Sequence, residues 1–247
     1  MSDGPRWVAG VDGCPSGWIC ALLRIVDGRP VDGQLQLVED FAAVLALEPS
    51  PEIIAIDMPI GLPDRTTTGG RPPERSVRPL LGQRQSSVFG IPSRAAVFAD
   101  DYAGACRLAQ ETSEPSRKVS KQAFHIFPKI REIDALMTPA LQARVFECHP
   151  EAAFMQANGG PVPVPKKIAG RVNPPGIAWR IALLAEVGLP KSMFAGGMST
   201  TGRYAMDDLA DAAACALTAW RILGGRAVRF PKDPVHDGHG LDMAIWA

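Results

Sequence analysis

Three short apolar runs in this chain each lead into a carboxylate, and this repeated pattern constrains the fold more than any other feature. The acids that end the runs are Asp12, Asp57 and Glu147. An ionised carboxylate at the end of a buried strand is costly to desolvate unless a partner compensates its charge. Because the carboxyl ends of parallel strands share one edge of a sheet, we expect these acids to meet there.

The order of the predicted elements indicates an α/β fold built on a mixed sheet. Two apolar runs joined by a Gly/Pro/Ser turn predict a hairpin over residues 6–12 and 17–26. Residues 53–56 form a continuous apolar run, which is typical of a buried central strand. Further strands are expected at 35–38, 143–147, 227–230 and 241–246. Helices are expected at 41–47, 99–111, 178–186 and 205–223, and from about 120 to 136 with an interruption at Pro128.

Composition limits the class of protein. The 247 residues are 46% hydrophobic, which is enough for a sizeable core. Lys and Arg together number 26, as do Asp and Glu, so only local patches of charge can indicate a polyanionic partner. The five cysteines are scattered and form no CxxC pair, the opening residues are polar, and no segment is apolar enough to span a bilayer. We therefore expect a cytoplasmic protein with no membrane partner.

A basic stretch rich in Pro and Gly follows the fourth predicted strand. We place a helical and loop insertion there, at residues 62–142, within a single domain that spans residues 1–247. Guanidinium groups bind phosphate through paired hydrogen bonds, so the basic residues of this stretch and of a second basic loop are candidate phosphate ligands. The candidates are Arg75, Arg78, Arg84, Arg94, Lys129 and Lys166. A solvated loop, or simple neutralisation of the acids, explains the same pattern.

A cluster of acids opens the last predicted helix. Residues three apart share a helix face, so Asp208 and Asp211 can point at one spot. The predicted metal ligands are Asp12, Asp57, Asp208 and Asp211, and Glu147 is a further candidate catalytic residue. Oxygen ligands of this kind suit Mg²⁺ or Mn²⁺, and two such ions about 3.5–4 Å apart can assist displacement at a phosphodiester. Turn formation by Asp12 and helix capping by the later acids are the alternative interpretations.

Six stretches of the sequence follow patterns found in a known protein family. They are GVDGCPSGW (10–18), IDMPIGLP (56–63), LGQRQSSVF (81–89), PKIREID (128–134), ECHPE (147–151) and DDLADA (207–212). On these stretches the chain resembles the DUF429 family, whose members are regarded as predicted nucleases. The resemblance implies an RNase H-like mixed sheet flanked by helices, with the insertion after the fourth strand. The order of the four predicted metal ligands also resembles that of resolvase-type members of the wider RNase H-like superfamily.

One stretch departs from the family pattern. A Cys-Asp-Arg sequence usually precedes the Leu-Gly segment, whereas this chain has Pro73, Glu74 and Arg75 there. A functional acid at that point would have to be Glu74. His149, beside Glu147, is either a metal ligand or base, or a hydrogen-bonded structural residue.

These observations predict a metal-dependent nuclease or phosphodiesterase that uses Mg²⁺ or Mn²⁺ and acts on nucleic acid, either DNA or RNA. Two other classes stay open. A phosphotransferase of the actin-like and sugar-kinase-like branch would bind ATP phosphates at the turn of residues 12–17. A non-catalytic nucleic-acid-binding protein would keep the fold and bind without metal.

Overall fold

The computed structural model describes residues 4–195 and 203–247. The strands are β1 (Arg6–Cys14), β2 (Gly17–Val26), β3 (Arg29–Val38), β4 (Ile53–Ile56), β5 (Thr66–Thr67), β6 (Ser113–Glu114), β7 (Val145–Glu147), β8 (Lys167–Ile168), β9 (Arg171–Val172), β10 (Arg229–Phe230) and β11 (Ile245–Trp246). The helices are α1 (Phe41–Leu45), α2 (Pro72–Val77), α3 (Arg94–Val97), α4 (Tyr102–Glu111), α5 (Lys121–Asp134), α6 (Pro150–Asn158), α7 (Pro174–Glu186), α8 (Ser192–Ala195) and α9 (Met206–Leu223). Two 3₁₀ helices cover Arg78–Ser87 and Leu141–Ala143.

The described chain divides into two compact units. The first contains residues 4–57, 144–195, 203–228 and 246–247, and the second contains residues 58–143 and 229–245. The predicted insertion at 62–142 falls inside the second unit, while the single domain over 1–247 stays a prediction. None of the helices in the described ranges is long and apolar enough to cross a bilayer.

A five-stranded mixed sheet forms the centre of the first unit, with the strand order β3-β2-β1-β4-β7. The first three strands form an antiparallel meander, in which β1 pairs with β2 and β2 with β3. β4 then pairs in parallel with β1, and β7 pairs in parallel with β4. The predicted α/β class with a mixed sheet flanked by helices is therefore confirmed, and the arrangement is consistent with an RNase H-like fold.

Helix α9 packs across β1, β2 and β4 and forms much of the core of the first unit. Every residue from Leu209 to Ala219 is buried, and most of them are alanines. Small side chains let the helix approach the sheet closely. Gly10 on β1 completes this contact, because a Cβ atom there would overlap the backbone of Ala212 and Ala216.

The alternation of side chains along the strands aims two of the acids at α9. Asp12 lies two residues after Gly10 and therefore leaves β1 on the α9 side. Ala55 on β4 belongs to the core shared with α9, and Asp57 follows it by two residues. The backbone N–H of Asp57 still donates to Val11 O at 2.9 Å, so the sheet ladder continues to this point.

Buried ion pairs organise the second unit. Arg71 is 1% exposed and Glu74 is 2% exposed, and Arg71 Nε donates to Glu74 Oε1 at 2.6 Å. Arg71 also donates to the carbonyls of Ile60 and Gly61. Glu74, the acid at the position where the sequence departs from the family pattern, therefore has a structural partner within its own unit.

Several element boundaries differ from the sequence predictions. The predicted interruption at Pro128 is wrong, because α5 runs without a break through this exposed proline. Buried Phe127 and Ile130 on either side anchor the helix, and this packing outweighs the loss of one backbone donor. Within the basic stretch, the helical segments are α2 and the 3₁₀ helix Arg78–Ser87.

Candidate metal centre

Three carboxylates of the first unit meet at one place. Asp12, Asp57 and Asp211 each offer an oxygen that lies within 4.8 Å of the oxygens offered by the other two. Asp12 and Asp211 are 8% and 4% exposed, and Asp57 is partly exposed. Side chains separated by 199 positions in the sequence thus form one compact, oxygen-only cluster.

Each acid is positioned by a different element of the core. Asp12 lies within β1, which continues two residues beyond it, and its Oδ1 accepts a hydrogen bond from Gly13 N at 2.7 Å. Asp57 directly follows β4. Asp211 lies in the second turn of α9, on the side of the helix that packs against the sheet. The backbone of the sheet and the helix therefore fixes the cluster, rather than any loop.

Proximity and burial raise the proton affinity of the cluster. Burial, and then the neighbouring charges of Asp57 and Asp211, raise the pKa of Asp12 well above its usual value. Burial, and then Asp211, raise the pKa of Asp57 to about 8. Without a cation, the site therefore retains protons near neutral pH, as expected when carboxylates crowd together in a poorly solvated place.

Lys166 supplies an internal cation to this cluster. Its Nζ forms an ion pair with Asp211 Oδ2, and its side chain is 25% exposed. Burial by itself would lower the pKa of Lys166, but Asp211 and then Asp57 and Asp12 raise it above its ordinary value. Lys166 was predicted as a phosphate ligand, and the structure places it against the predicted metal ligands.

The backbone around Lys166 is held in place because three of its successive carbonyl groups accept hydrogen bonds. Val164 O accepts from Arg180 Nη1 at 2.9 Å, and Pro165 O accepts from Asn173 Nδ2 at 2.7 Å. Lys166 O accepts from Asn173 N at 2.8 Å. These hydrogen bonds form a cradle that fixes the backbone position from which the Lys166 side chain reaches the acids.

A buried ion pair that the sequence did not indicate supports this cradle. Arg180 is 0% exposed and donates to Glu151 Oε1 at 2.5 Å. Its guanidinium lies 5.3 Å from the centre of the Phe154 ring. Glu151 and Arg180 are separated by 29 positions, and the only available signal was an arginine on the apolar face of a predicted helix.

Two further predicted acids lie outside the three-carboxylate cluster. Asp208 Oδ2 accepts from Ala205 N at 2.9 Å and so caps its own helix, as the alternative interpretation had it. Glu147 is the register partner of Ile56 on β4. The next residue, Cys148, contacts Thr218 and therefore faces α9. Glu147 therefore leaves the sheet on the face opposite α9. Both acids still interact electrostatically with the cluster. Their catalytic roles stay predictions.

The other candidate phosphate ligands lie in the second unit, and most have partners there. Arg75 donates to Thr67 Oγ1 and Gly70 O, and Arg78 donates to the carbonyls of Gly69 and Val88. Arg94 forms ion pairs with Asp134 and Asp237. Arg84 donates to the adjacent Gln83, and Lys129 is partly exposed on α5. Their roles in binding substrate stay predictions.

The fold and the site define an α/β protein with an internal carboxylate cluster on a mixed sheet. The sequence model of a family described as "Protein of unknown function (DUF429)" matches residues 10–236. The chain therefore belongs to the DUF429 family. No curated protein matches it.

Proposed function

We propose that this chain is a metal-dependent phosphodiesterase that hydrolyses nucleic acid. The observation that carries the proposal is the convergence of Asp12, Asp57 and Asp211, whose oxygens lie within 4.8 Å of one another. Bringing three acids together from two strands and one helix lowers the stability of the fold unless a ligand is bound, because like charges repel and burial disfavours ionisation.

The donor set fits a hard divalent cation. All three groups are carboxylates, which favour Mg²⁺ or Mn²⁺ over softer metals. Asp211 Oδ1 is buried and accepts no hydrogen bond from the described residues, so it has capacity for a further ligand. A bound ion would supply Lewis acidity and activate water for attack on phosphorus.

Different residues of the chain would hold the cation and bind the phosphate group. Asp12, Asp57 and Asp211 would hold the cation, and the rigid sheet and α9 keep them from spreading under mutual repulsion. Lys166 supplies the positive charge nearest to them and is the candidate phosphate ligand that shares their unit. A phosphate group carries the complementary charge, which favours a phosphodiester substrate over a neutral one.

A single conservative substitution tests the proposal. Asp57→Asn keeps the shape of the side chain but removes the charge, and the matched control is Asp100→Asn at an exposed position. We expect wild type and D100N to bind Mn²⁺ and to cleave an RNA–DNA hybrid, branched DNA or a single strand, and D57N to lose both properties while remaining folded. Cleavage by D57N at the wild-type rate, or no cleavage by wild type of any of these substrates, would contradict it.

A further inference from the structure

We infer that Lys166 is a resident cation of the carboxylate cluster, so that the site takes one divalent ion per chain and the lysine fills the place of a second. This inference rests on the proposed function. It favours one ion over the pair of ions considered from the sequence, and it gives Lys166 a role distinct from that of the arginines in the second unit.

The first argument is positional. The ammonium group of a surface lysine is usually mobile because the side chain is flexible. The backbone that carries Lys166, in contrast, is fixed by hydrogen bonds to three successive carbonyls. The buried Arg180 provides one of these bonds, and Asn173 provides the other two. Gly176 brings this segment still closer to α7, since a Cβ atom there would overlap Pro165 O. The fold therefore positions the ammonium group of Lys166 at the site.

The second argument is the charge balance. The three clustered carboxylates carry three negative charges when ionised, and Lys166 compensates one of them. One divalent ion balances the remaining two. Among the neighbouring acids, Glu151 pairs with Arg180, Asp207 pairs with Lys167, and Glu147 leaves the sheet on the opposite face. Asp208 is partly exposed and caps the helix. Two divalent ions would leave the cluster with excess positive charge.

The third argument is the occupancy of ligand atoms. Asp211 uses Oδ2 for Lys166 and keeps Oδ1 without a hydrogen bond among the described residues. Asp211 could thus hold a metal ion through Oδ1 while its Oδ2 remains paired with Lys166. The ammonium group would then supply the second positive charge that a two-metal site places near a phosphate oxygen.

Replacing Lys166 separates metal binding from catalysis. Lys166→Met keeps the length and loses the charge, and Lys167→Met is the matched control because Lys167 pairs with Asp207 outside the cluster. We would titrate Mn²⁺ into wild type, K166M, K167M and K166R by calorimetry, and record electron paramagnetic resonance spectra of the loaded proteins. Two ions about 4 Å apart couple magnetically, whereas a single ion does not.

We expect wild type, K167M and K166R to bind one uncoupled Mn²⁺. K166M should bind the ion at least about tenfold more tightly, because a competing positive charge has gone, and should cleave more slowly. Misfolding would instead weaken binding and cleavage together. Mn²⁺ binding by K166M when wild type binds none would overturn the inference, because the unaltered site would then take no divalent ion.

Two coupled ions in the wild type, or equal Mn²⁺ affinity in wild type and K166M, would overturn the inference and leave the proposed function intact. If neither protein binds Mn²⁺, both are overturned. If K166M does not fold, the number of ions in the wild type decides alone.

Discussion

Gly10 on β1 lies directly against the backbone of Ala216 on α9, with no room for a Cβ atom between them. This contact sets the distance between the strand and the helix. Asp12 follows Gly10 by two residues, and Asp211 lies about 1.4 helical turns before Ala216. A packing contact between two chemically inert residues therefore determines how far apart two of the proposed ligands lie.

Gly10→Ala should destabilise the protein and weaken Mn²⁺ binding together. The added methyl group meets backbone atoms that cannot rotate away, so the sheet and the helix must separate at a cost of about 1–3 kcal/mol or more. Urea denaturation and Mn²⁺ titration measure the two effects. Gly160→Ala is the matched control, because a Cβ atom there meets nothing within 4 Å. A neutral Gly10→Ala substitution would show that the contact is looser than described.

The stability of the metal-free protein should fall as pH rises from about 4 to about 8. Asp57 has a pKa of about 8 in the folded chain against 3.8 as its ordinary value, so the native state binds the proton more tightly than the unfolded state does. The stability that this proton contributes is complete at low pH and is lost as pH rises to the folded pKa, at about 1.4 kcal/mol per pH unit.

Denaturation curves recorded in a chelator between pH 5 and pH 8.5 measure this slope. Asp57→Asn should flatten it, because an amide resembles the neutral acid and does not titrate. Saturating Mn²⁺ should also flatten it, since the ion displaces the proton. Parallel curves for wild type and D57N would contradict the assignment.

Arg180→Met should cost about 3–5 kcal/mol of folding free energy, because it leaves Glu151 charged and unpaired in the core. Glu151→Gln in the same background should recover part of the loss, and a double-mutant cycle gives the coupling between the two residues. R180M should also strengthen Mn²⁺ binding, because releasing Val164 O loosens Lys166, whose positive charge competes with the ion. The exposed Arg107→Met, on α4, is the control and should be nearly neutral.

Arg94 and Arg84 should behave differently although both were predicted to bind phosphate. Arg94 pairs with Asp134 and with the buried Asp237, so Arg94→Ala should cost about 2 kcal/mol or more of stability. Arg84 contacts the adjacent Gln83, so Arg84→Ala should leave stability within about 0.5 kcal/mol. If Arg84 binds phosphate, R84A should reduce the salt dependence of nucleic-acid affinity by about one unit of slope. An unchanged slope would remove Arg84 from the candidate ligands.

The sequence predicted the sheet and the acid cluster where local pattern and topology agree. Residues 53–56 form a continuous apolar run whose burial follows from composition alone, and Asp12 and Asp57 converge because their strands pair in parallel. Asp208 shows the limit of the same reasoning. Helical spacing places it beside Asp211, but capping and metal binding use the same residue types at the same positions, so sequence cannot separate them.

Contacts between distant segments were harder to predict. Lys166 meets Asp211 across 45 positions, and the basic composition of its loop predicted a phosphate ligand without indicating this ion pair. Glu147 matched the strand-end pattern, yet its register with Ile56 sends it to the other face of the sheet. A one-residue difference in register decides the face, and the apolar pattern of a three-residue strand is too short to fix it.

Because α9 is completely buried between Leu209 and Ala219, the position of Asp211 depends on the residues that pack around this helix. A deletion of one residue in this helix would turn Asp211 by about 100° away from its partners while leaving all three acids in the sequence. Relatives that retain the acids but carry a bulky residue in place of Gly10 will therefore have lost the arrangement. The acidic residues of a relative therefore indicate the proposed activity only when the small residues that pack beneath them are present too.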